Sequence, residues 1–323
     1  MAALDALLFL VSLAVTLAAA AFFARRLDRV GLRLGLPETL LGLLTALAAD
    51  APEASSAIAA LVKGEHGVGV GVILGSNVFN LAAMVGFSAL LCGSIRIRRE
   101  ALAVEGVVGL AATLVAGSLV LGWIDAWVAL VLLAVVLVPY VTLLALGPAR
   151  APRRFVGFFG ERHTPDHRLA HGEAVLVPAL MLLPALAIIV AGSFGMVETA
   201  LRLAHRWSVP DVIVGIVVLA ILTSLPNAYT ASRLALQRRG AAVVSETLNS
   251  NTTNLVFGLT IPALFIALDS SSALTGFGLA WLLLMTVVTL GLFARRDGVT
   301  RSGGIAILLL YAVFVVVEIV SAA

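Results

Sequence analysis

Ten predominantly apolar runs, each long enough to cross the ~30 Å of hydrocarbon in a bilayer as a helix, divide almost the whole chain between them. They lie near 5–24, 38–62, 70–92, 101–121, 125–147, 174–196, 209–232, 241–267, 271–293 and 303–321. Water is not the main solvent of such a chain. Of its residues 61% are hydrophobic and 12% charged, where soluble domains carry about 25% charged residues, and the mean hydropathy is +1.10. Gly and Pro interrupt several runs, which points to helices packed on helices, because lipid-facing backbone must satisfy its own hydrogen bonds. The first run has no basic stretch before it and is too long for a signal peptide, so it is read as a helix. Cys92 is the only cysteine and can form no intrachain disulfide; it reads as core filler.

The pI near 9.6 reflects orientation rather than nucleic-acid binding. If the loops alternate between the two sides, those after the first, third, fifth, seventh and ninth runs hold 18 of the 21 Lys and Arg. Lys63, Arg202 and Arg206 fall on the other side. The positive-inside rule then places the Arg-rich loops in the cytoplasm and both termini outside, in a cell (inner) membrane.

Adding 174 to a residue number in the first half brings its five runs onto those of the second. Pro52 lands on Pro226, Ser76 on Ser250, Asn77 on Asn251 and Asn80 on Asn254. Each half holds an odd number of helices, so the second enters the membrane the other way up. The expected fold class is therefore an all-α polytopic membrane protein with ten transmembrane helices as two inverted five-helix repeats. Residues 1–147 form the first repeat, 148–173 a cytoplasmic linker and 174–323 the second. Inverted repeats of this kind place a substrate site near the bilayer midplane, where broken helices meet.

Polar residues concentrate in matching places. The second run reads Ala48-Ala49-Asp50-Ala51-Pro52-Glu53 and the seventh Leu222-Thr223-Ser224-Leu225-Pro226-Asn227. A proline within a helix supplies no N–H to the carbonyl four residues back, which frees the carbonyls of Ala48 and Leu222. Asp50 and Glu53, three apart, share a helix face, and intramembrane acids are functional by default. The third and eighth runs hold Gly75-Ser76-Asn77-Val78-Phe79-Asn80 and Asn249-Ser250-Asn251-Thr252-Thr253-Asn254. Ser76 and Asn80 form one stripe; Glu246, Ser250 and Asn254 form the equivalent one with an added acid. Every donor is oxygen, and no His, Cys or Met joins them, which favours calcium or sodium over zinc, copper or iron.

Plainer readings apply to part of this set. Asn77, Asn251, Thr252 and Thr253 read equally as bonds between neighbouring helices, and a membrane proline can be a kink alone. Glu105, Glu198 and Glu318 have no polar stripe around them and read as helix-end or interfacial groups. His163, His167 and His171, spaced by four in the linker, read as a solvated surface, with metal sensing the alternative.

The two polar stretches resemble the alpha repeats of the cation/calcium exchanger superfamily, written roughly G-T-S-x-P-E followed by G-S-N-x-x-N or G-S-N-x-x-D. Gly75 to Asn80 match in full, and Pro52-Glu53 and Thr223-Ser224-Leu225-Pro226 match well. The resemblance implicates Glu53, Ser76, Asn80, Thr223, Ser224 and Ser250 as ion ligands, and implies that the first and sixth helices move across the other eight. Ala49 and Asp50 stand where the family has Thr and Ser, Asn227 where it has Glu, and Asn254 where an acid is common. Asp50 and Glu246 restore three carboxylates in shifted positions, which keeps a divalent site and alters the pattern on which sodium sites rely.

The expected protein is thus a secondary antiporter and not an enzyme, exchanging calcium for sodium or protons by alternating access. Asp50, Glu53 and Glu246 would hold the ion with Ser76, Ser250, Asn227 and the freed carbonyls. A monovalent sodium/proton exchanger and a non-transporting ion-binding homologue are the alternatives. The expected partners are small inorganic cations and the lipid bilayer, with no cofactor, no nucleic acid and a monomer as the unit.

Overall fold

A computed structural model describes residues 2–34, 36, 38–150, 152, 179–268 and 272–322, and among these it is almost wholly helical. The linker histidines His163, His167 and His171 lie outside the described residues. Among the described residues eight helical stretches are long and apolar enough to cross a membrane: Ala2–Gly31, His66–Cys92, Arg99–Val120, Ala126–Gly147, Leu182–Arg206, Asp211–Leu236, Ala273–Phe293 and Arg301–Ala322. The two expected spans missing from this set are those near 38–62 and 241–267. The first is divided at Asp50 into α2 (Glu38–Ala49) and α3 (Ala51–Val62). The second, Gly240–Thr253 with a π-helical continuation Asn254–Thr260, is rich in Ser, Thr and Asn. The first falls short in length because its helix breaks at Asp50, the second in apolarity because of its Ser, Thr and Asn.

The remaining helices are α1 (Ala2–Arg33), α4 (His66–Asn80), α5 (Ser88–Cys92), α6 (Arg99–Val120), α7 (Ala126–Arg150), α8 (Leu182–Arg206), α9 (Asp211–Ile213), α10 (Ala220–Leu236), α11 (Gly240–Thr253), α12 (Ala273–Phe293) and α13 (Arg301–Ala322). π-Helical turns at Leu81–Phe87 and Val214–Leu219 join α4 to α5 and α9 to α10. The stretch His66–Cys92 is almost wholly enclosed by its neighbours. At the periphery, Leu4, Leu7, Val131, Val135, Val138, Leu309 and Val316 stand exposed, as side chains facing lipid do.

The two ends of the molecule differ in charge. At one end β1 (Ser94–Ile95) pairs antiparallel with β2 (Val299–Thr300), Arg96 pairs with Asp297 at 3.2 Å, and Gly240 packs against the Arg96 backbone. Three of the Arg-rich loops therefore meet there. At the opposite end of the stretch His66–Cys92, Lys63 pairs with Glu198, Arg202 with Glu198 at 3.0 Å, and Arg206 with Asp5 at 3.1 Å. The three cations that the alternating-loop rule sets apart are all in this second cluster.

Close packing depends on small residues, as is general where helices associate within lipid. α1 lies along α8, and a Cβ on Gly192 of α8 would stand 2.2 Å from Thr16 Oγ1 of α1. α4 runs equally close to the turn Val214–Leu219, where a Cβ on Gly75 would stand 2.1 Å from the Ile216 carbonyl oxygen. That contact is backbone to backbone, so neither side can give way by a rotamer change. Gly75→Ala should destabilise the protein by about 1–3 kcal/mol, the range for overpacking a tight core. Thermal unfolding in detergent checks this; an unchanged midpoint would show that the two backbones can separate freely.

Candidate cation site

The site forms where α2 gives way to α3. Asp50 occupies the break between them, and Pro52, the second residue of α3, has no N–H to offer the Ala48 carbonyl. Glu53 follows one turn into α3, and both acids are enclosed, at 1% and 0% exposure. Pro226 plays the same part inside α10, one residue before Asn227.

Donors from α10 and α11 meet one oxygen of each acid. Asp50 Oδ1 accepts from Ser250 Oγ at 2.5 Å and Asn227 Nδ2 at 2.8 Å. Glu53 Oε1 accepts from Ser224 Oγ at 3.0 Å and Asn227 Nδ2 at 3.2 Å. Asn80 Nδ2 of α4 closes the group by donating to Ser250 Oγ at 3.1 Å. The second oxygens, Asp50 Oδ2 and Glu53 Oε2, are buried without a partner, as are Asn80 Oδ1 and Asn254 Oδ1. The amide N–H groups of Asn80, Asn227 and Asn254 are engaged and the orphaned atoms are acceptor oxygens, the donor set that a hard cation takes. A buried acceptor without a partner costs about 1–3 kcal/mol, so a cation that completes these oxygens is stabilised by the vacant lone pairs around it.

A second layer of amides braces the helices behind the acids. Asn77 Nδ2 donates to the Asn251 carbonyl and Asn251 Nδ2 to the Asn77 carbonyl, both at 3.0 Å. Asn80 Nδ2 reaches Asn251 Oδ1 at 3.2 Å, and Asn254 Nδ2 reaches Asn77 Oδ1 at 3.1 Å. The offset of 174 maps each of these bonds onto its counterpart. It also maps the Asn227–Asp50 bond onto the Ser224–Glu53 bond.

The sequence-derived candidates thus fall into three groups. Asp50, Glu53, Asn80, Ser224, Asn227 and Ser250 form one hydrogen-bonded network, with Asn254 attached through Asn77. Ser76 and Thr223 sit beside it, their hydroxyls both reaching the Ala220 carbonyl at 3.4 Å, while Thr223 also bonds Leu219 one turn back at 2.9 Å. Glu246 stands apart. Its Oε2 has no partner, and the charges that act on it are those of Asp50 and Arg239. Among the described residues no three His, Cys, Asp or Glu side chains come together as a metal-holding group, so the expected trio of carboxylates is a pair with a third acid nearby.

Two readings need correction. Glu105 and Glu318, read as helix-end or interfacial groups, are enclosed by the protein, at 4% and 0% exposure; Ser245 of α11 bonds Glu105 and Gly278 of α12 lies beside Glu318, contacts that their own segments do not reveal. Glu198, paired with Lys63 and Arg202, is a surface group as expected. Asn77 and Asn251, left open between packing and binding, brace the helices. The sequence signal for that role was present in their shared offset.

The model of the family described as sodium/calcium exchanger protein matches residues 4–145 and 177–320. The chain belongs to the sodium/calcium exchanger family. A sodium/calcium exchanger of Methanosarcina acetivorans, MaX1, is 23% identical over 96% of this chain and 97% of its own length. Inner membrane protein YrbG of Escherichia coli is 26% identical over 71% of this chain and 70% of its own. Sodium/potassium/calcium exchanger 4 of Mus musculus is 34% identical, over 38% of this chain and 21% of that longer protein. The solved structure of the sodium-calcium exchanger NCX_Mj soaked with Na+ and Sr2+ superposes with a TM-score of 0.65 at 20% identity, covering 98% of this chain and 99% of that one. The fold of the exchanger family is therefore the fold of this integral membrane protein.

The reciprocal amide pair at the centre makes a direct prediction. Asn77→Ala or Asn251→Ala each leaves a buried partner unsatisfied and should cost about 1–3 kcal/mol. The double variant should cost less than the sum of the two, since residues in one network do not add. Thermal unfolding of the four proteins in detergent reads this, and strictly additive losses would mean that the two amides do not act as a pair.

Proposed function

We propose that the chain is a secondary antiporter that moves calcium against sodium or protons by alternating access, with Asp50 and Glu53 as the anionic ligands. The observation that carries this reading is the state of those two acids: fully enclosed, Asp50 with one oxygen bonded to donors from α10 and α11, Glu53 with one bonded to donors from α10, and the other oxygen of each without a partner. Two carboxylates balance the charge of one calcium ion or of two monovalent ions. They form a poor resting place for nothing at all, because an ionised acid in a low dielectric requires compensation. Calcium, sodium and protons therefore compete for the same pair of charges, and exchange follows from that competition without a separate coupling device. The names of the relatives favour calcium as one ion and sodium as the other; protons are the alternative counter-ion.

In this proposal the hydroxyl and amide oxygens of Ser76, Asn80, Thr223, Ser224, Asn227, Ser250 and Asn254 complete a calcium shell of 6 to 8 oxygens. Glu246 lies on the approach from the Arg-rich end. The hydrogen bonds related by the 174 offset support two inverted five-helix halves, the two broken, polar segments counting as the ninth and tenth spans. Positive charge at one end supports a cytoplasmic placement of that end and termini on the outside of a cell membrane. The pair α1 and α8, bound along their length and by Arg206–Asp5, is the body that moves across the remainder, and a monomer suffices.

Calcium uptake into proteoliposomes under an imposed sodium or proton gradient tests the reading. Glu53→Gln and Asp50→Asn should each lower uptake at least tenfold while leaving the unfolding midpoint within a few degrees. Uptake that survives both substitutions undiminished would defeat the assignment. Uptake driven by a pH gradient alone would select protons over sodium.

A further inference from the structure

A second buried acid lies outside the cage. Glu105 of α6 accepts a hydrogen bond at Oε1 from Ser245 Oγ of α11, and its Oε2 has no partner. Alongside, Tyr140 of α7 donates its hydroxyl to Asn249 Oδ1 of α11 at 2.7 Å. These two contacts grip α11 on residues that alternate with Glu246 and Ser250, so the helix that supplies a donor to Asp50 also bonds Glu105.

The fold does not require this polar clamp. The 174 offset places Leu279 at the position of Glu105, Gly71 at Ser245, Phe314 at Tyr140 and Gly75 at Asn249. At those positions the same kinds of helix pack through Leu279, Phe314 and two glycines, all buried. An acid, a hydroxyl, a phenol and an amide replacing four apolar or bare positions together is a departure that packing alone does not explain.

The groups around Glu105 decide its charge. The segments packed on α6 are α7, α11, α12 and the turn Asn254–Thr260, and α2 adds Leu43 to the apolar cluster beside it. Their ionisable residues are Tyr140 and Arg150 on α7, Glu246 on α11 with Arg239 at its cap, none on α12 or the turn, and Glu38 and Asp50 at the start and end of α2. α6 itself adds Arg99 and Glu100 in its first turn. Among the described residues no cation forms an ion pair with Glu105. A buried carboxylate with one hydroxyl donor and no counter-charge is far less stable than the neutral acid.

We propose that Glu105 is a second, proton-only site whose occupancy is coupled to the cation cage through α11. This rests on the cage reading above. A cation entering beside Asp50 adds positive charge within the same low-dielectric body and favours the ionised form of Glu105. The carboxylic acid then becomes a carboxylate, and its proton passes to solvent at the Arg-rich end. The coupling is reciprocal, so a proton on Glu105 weakens cation binding by the same factor that the cation weakens the proton's.

Infrared spectroscopy of the purified full-length protein reads the acid directly. The carboxylic C=O band of cation-free wild type should contain a component that is absent in Glu105→Gln, and added calcium should move the titration of that component to lower pH. Glu105→Gln keeps the shape and charge of the protonated acid, and Glu105→Leu copies the other half should the first variant fold poorly. Wild-type calcium affinity should rise by roughly 5- to 150-fold in total as rising pH strips the proton from Glu105, and that part of the pH dependence should be absent in Glu105→Gln. At high pH its affinity should be roughly 5- to 150-fold weaker than wild type, the usual span of coupling between two sites. An unaltered C=O band in the variant, a band that calcium does not move, or an unaltered pH slope would each overturn the proposal. Wild-type protein that binds no calcium while Glu53→Gln is equally inert would instead remove the cage reading, and the C=O component alone then decides whether Glu105 holds a proton.

Discussion

The rest of this structure depends on the bonding of Asp50 and Glu53 to donors that lie 171 to 200 residues further along the chain. An acid within a bilayer is costly unless something compensates it, with translocon scales giving ~2.5–3.5 kcal/mol each. Here Ser224, Asn227 and Ser250 supply that compensation in part. The two segments least able to cross a membrane on apolarity alone are therefore held in place by each other and by the apolar helices around them. Apolar helices such as α1, α7 and α13 stand at the periphery, and the polar pieces lie inside together with the enclosed stretch His66–Cys92.

Breaks in regular helix occur where this arrangement needs them. Pro52 and Pro226 precede Glu53 and Asn227 by one residue each, and each proline leaves the carbonyl four residues before it without its usual donor. The π-helical turns Leu81–Phe87 and Asn254–Thr260 begin next to Asn80 and at Asn254, on the C-terminal side of the amide lock. A π turn carries one more residue than an α turn and is commonly placed at functional positions; in these helices it sets in directly after the residues bonded across to the other half of the chain.

Much of this was legible in the sequence because lipid imposes strong rules. Apolar length gave eight of the ten expected spans, and the Arg distribution anticipated which loops gather at one end, as the β1–β2 pairing shows for two of them. The network residues were found because Ser and Asn kept one spacing in two apolar stretches. What stayed hidden was anything decided by contact between distant segments. Glu105 reads as a lone acid in its own helix, and only the approach of Ser245 from α11 gives it a partner. Glu246 shares a stripe with Ser250, yet helical periodicity fixes a face and not a distance, and the third carboxylate stands off from the pair. The same limit applied to Asn77 and Asn251, whose bonds run to each other's main chain.

The uneven distribution of charge between the two matching segments has a physical consequence at the centre of the site. Both acids come from the α2–α3 segment, and α10 answers with neutral groups, Ser224 and Asn227. Asn227 Nδ2 lies 2.8 Å from Asp50 Oδ1, 3.2 Å from Glu53 Oε1 and 3.3 Å from Ser250 Oγ. Three oxygens thus surround one nitrogen whose hydrogens carry partial positive charge, which is the coordination a small cation would seek. In the proposed site the amide stands where the ion would bind. An acid at this position would add a third negative charge beside Asp50 and Glu53, whereas the amide adds none and donates to both. Under the proposed antiport a cation competes with that amide for the same oxygens, and an Asn227 side chain that yields could turn its own carbonyl oxygen toward the ion.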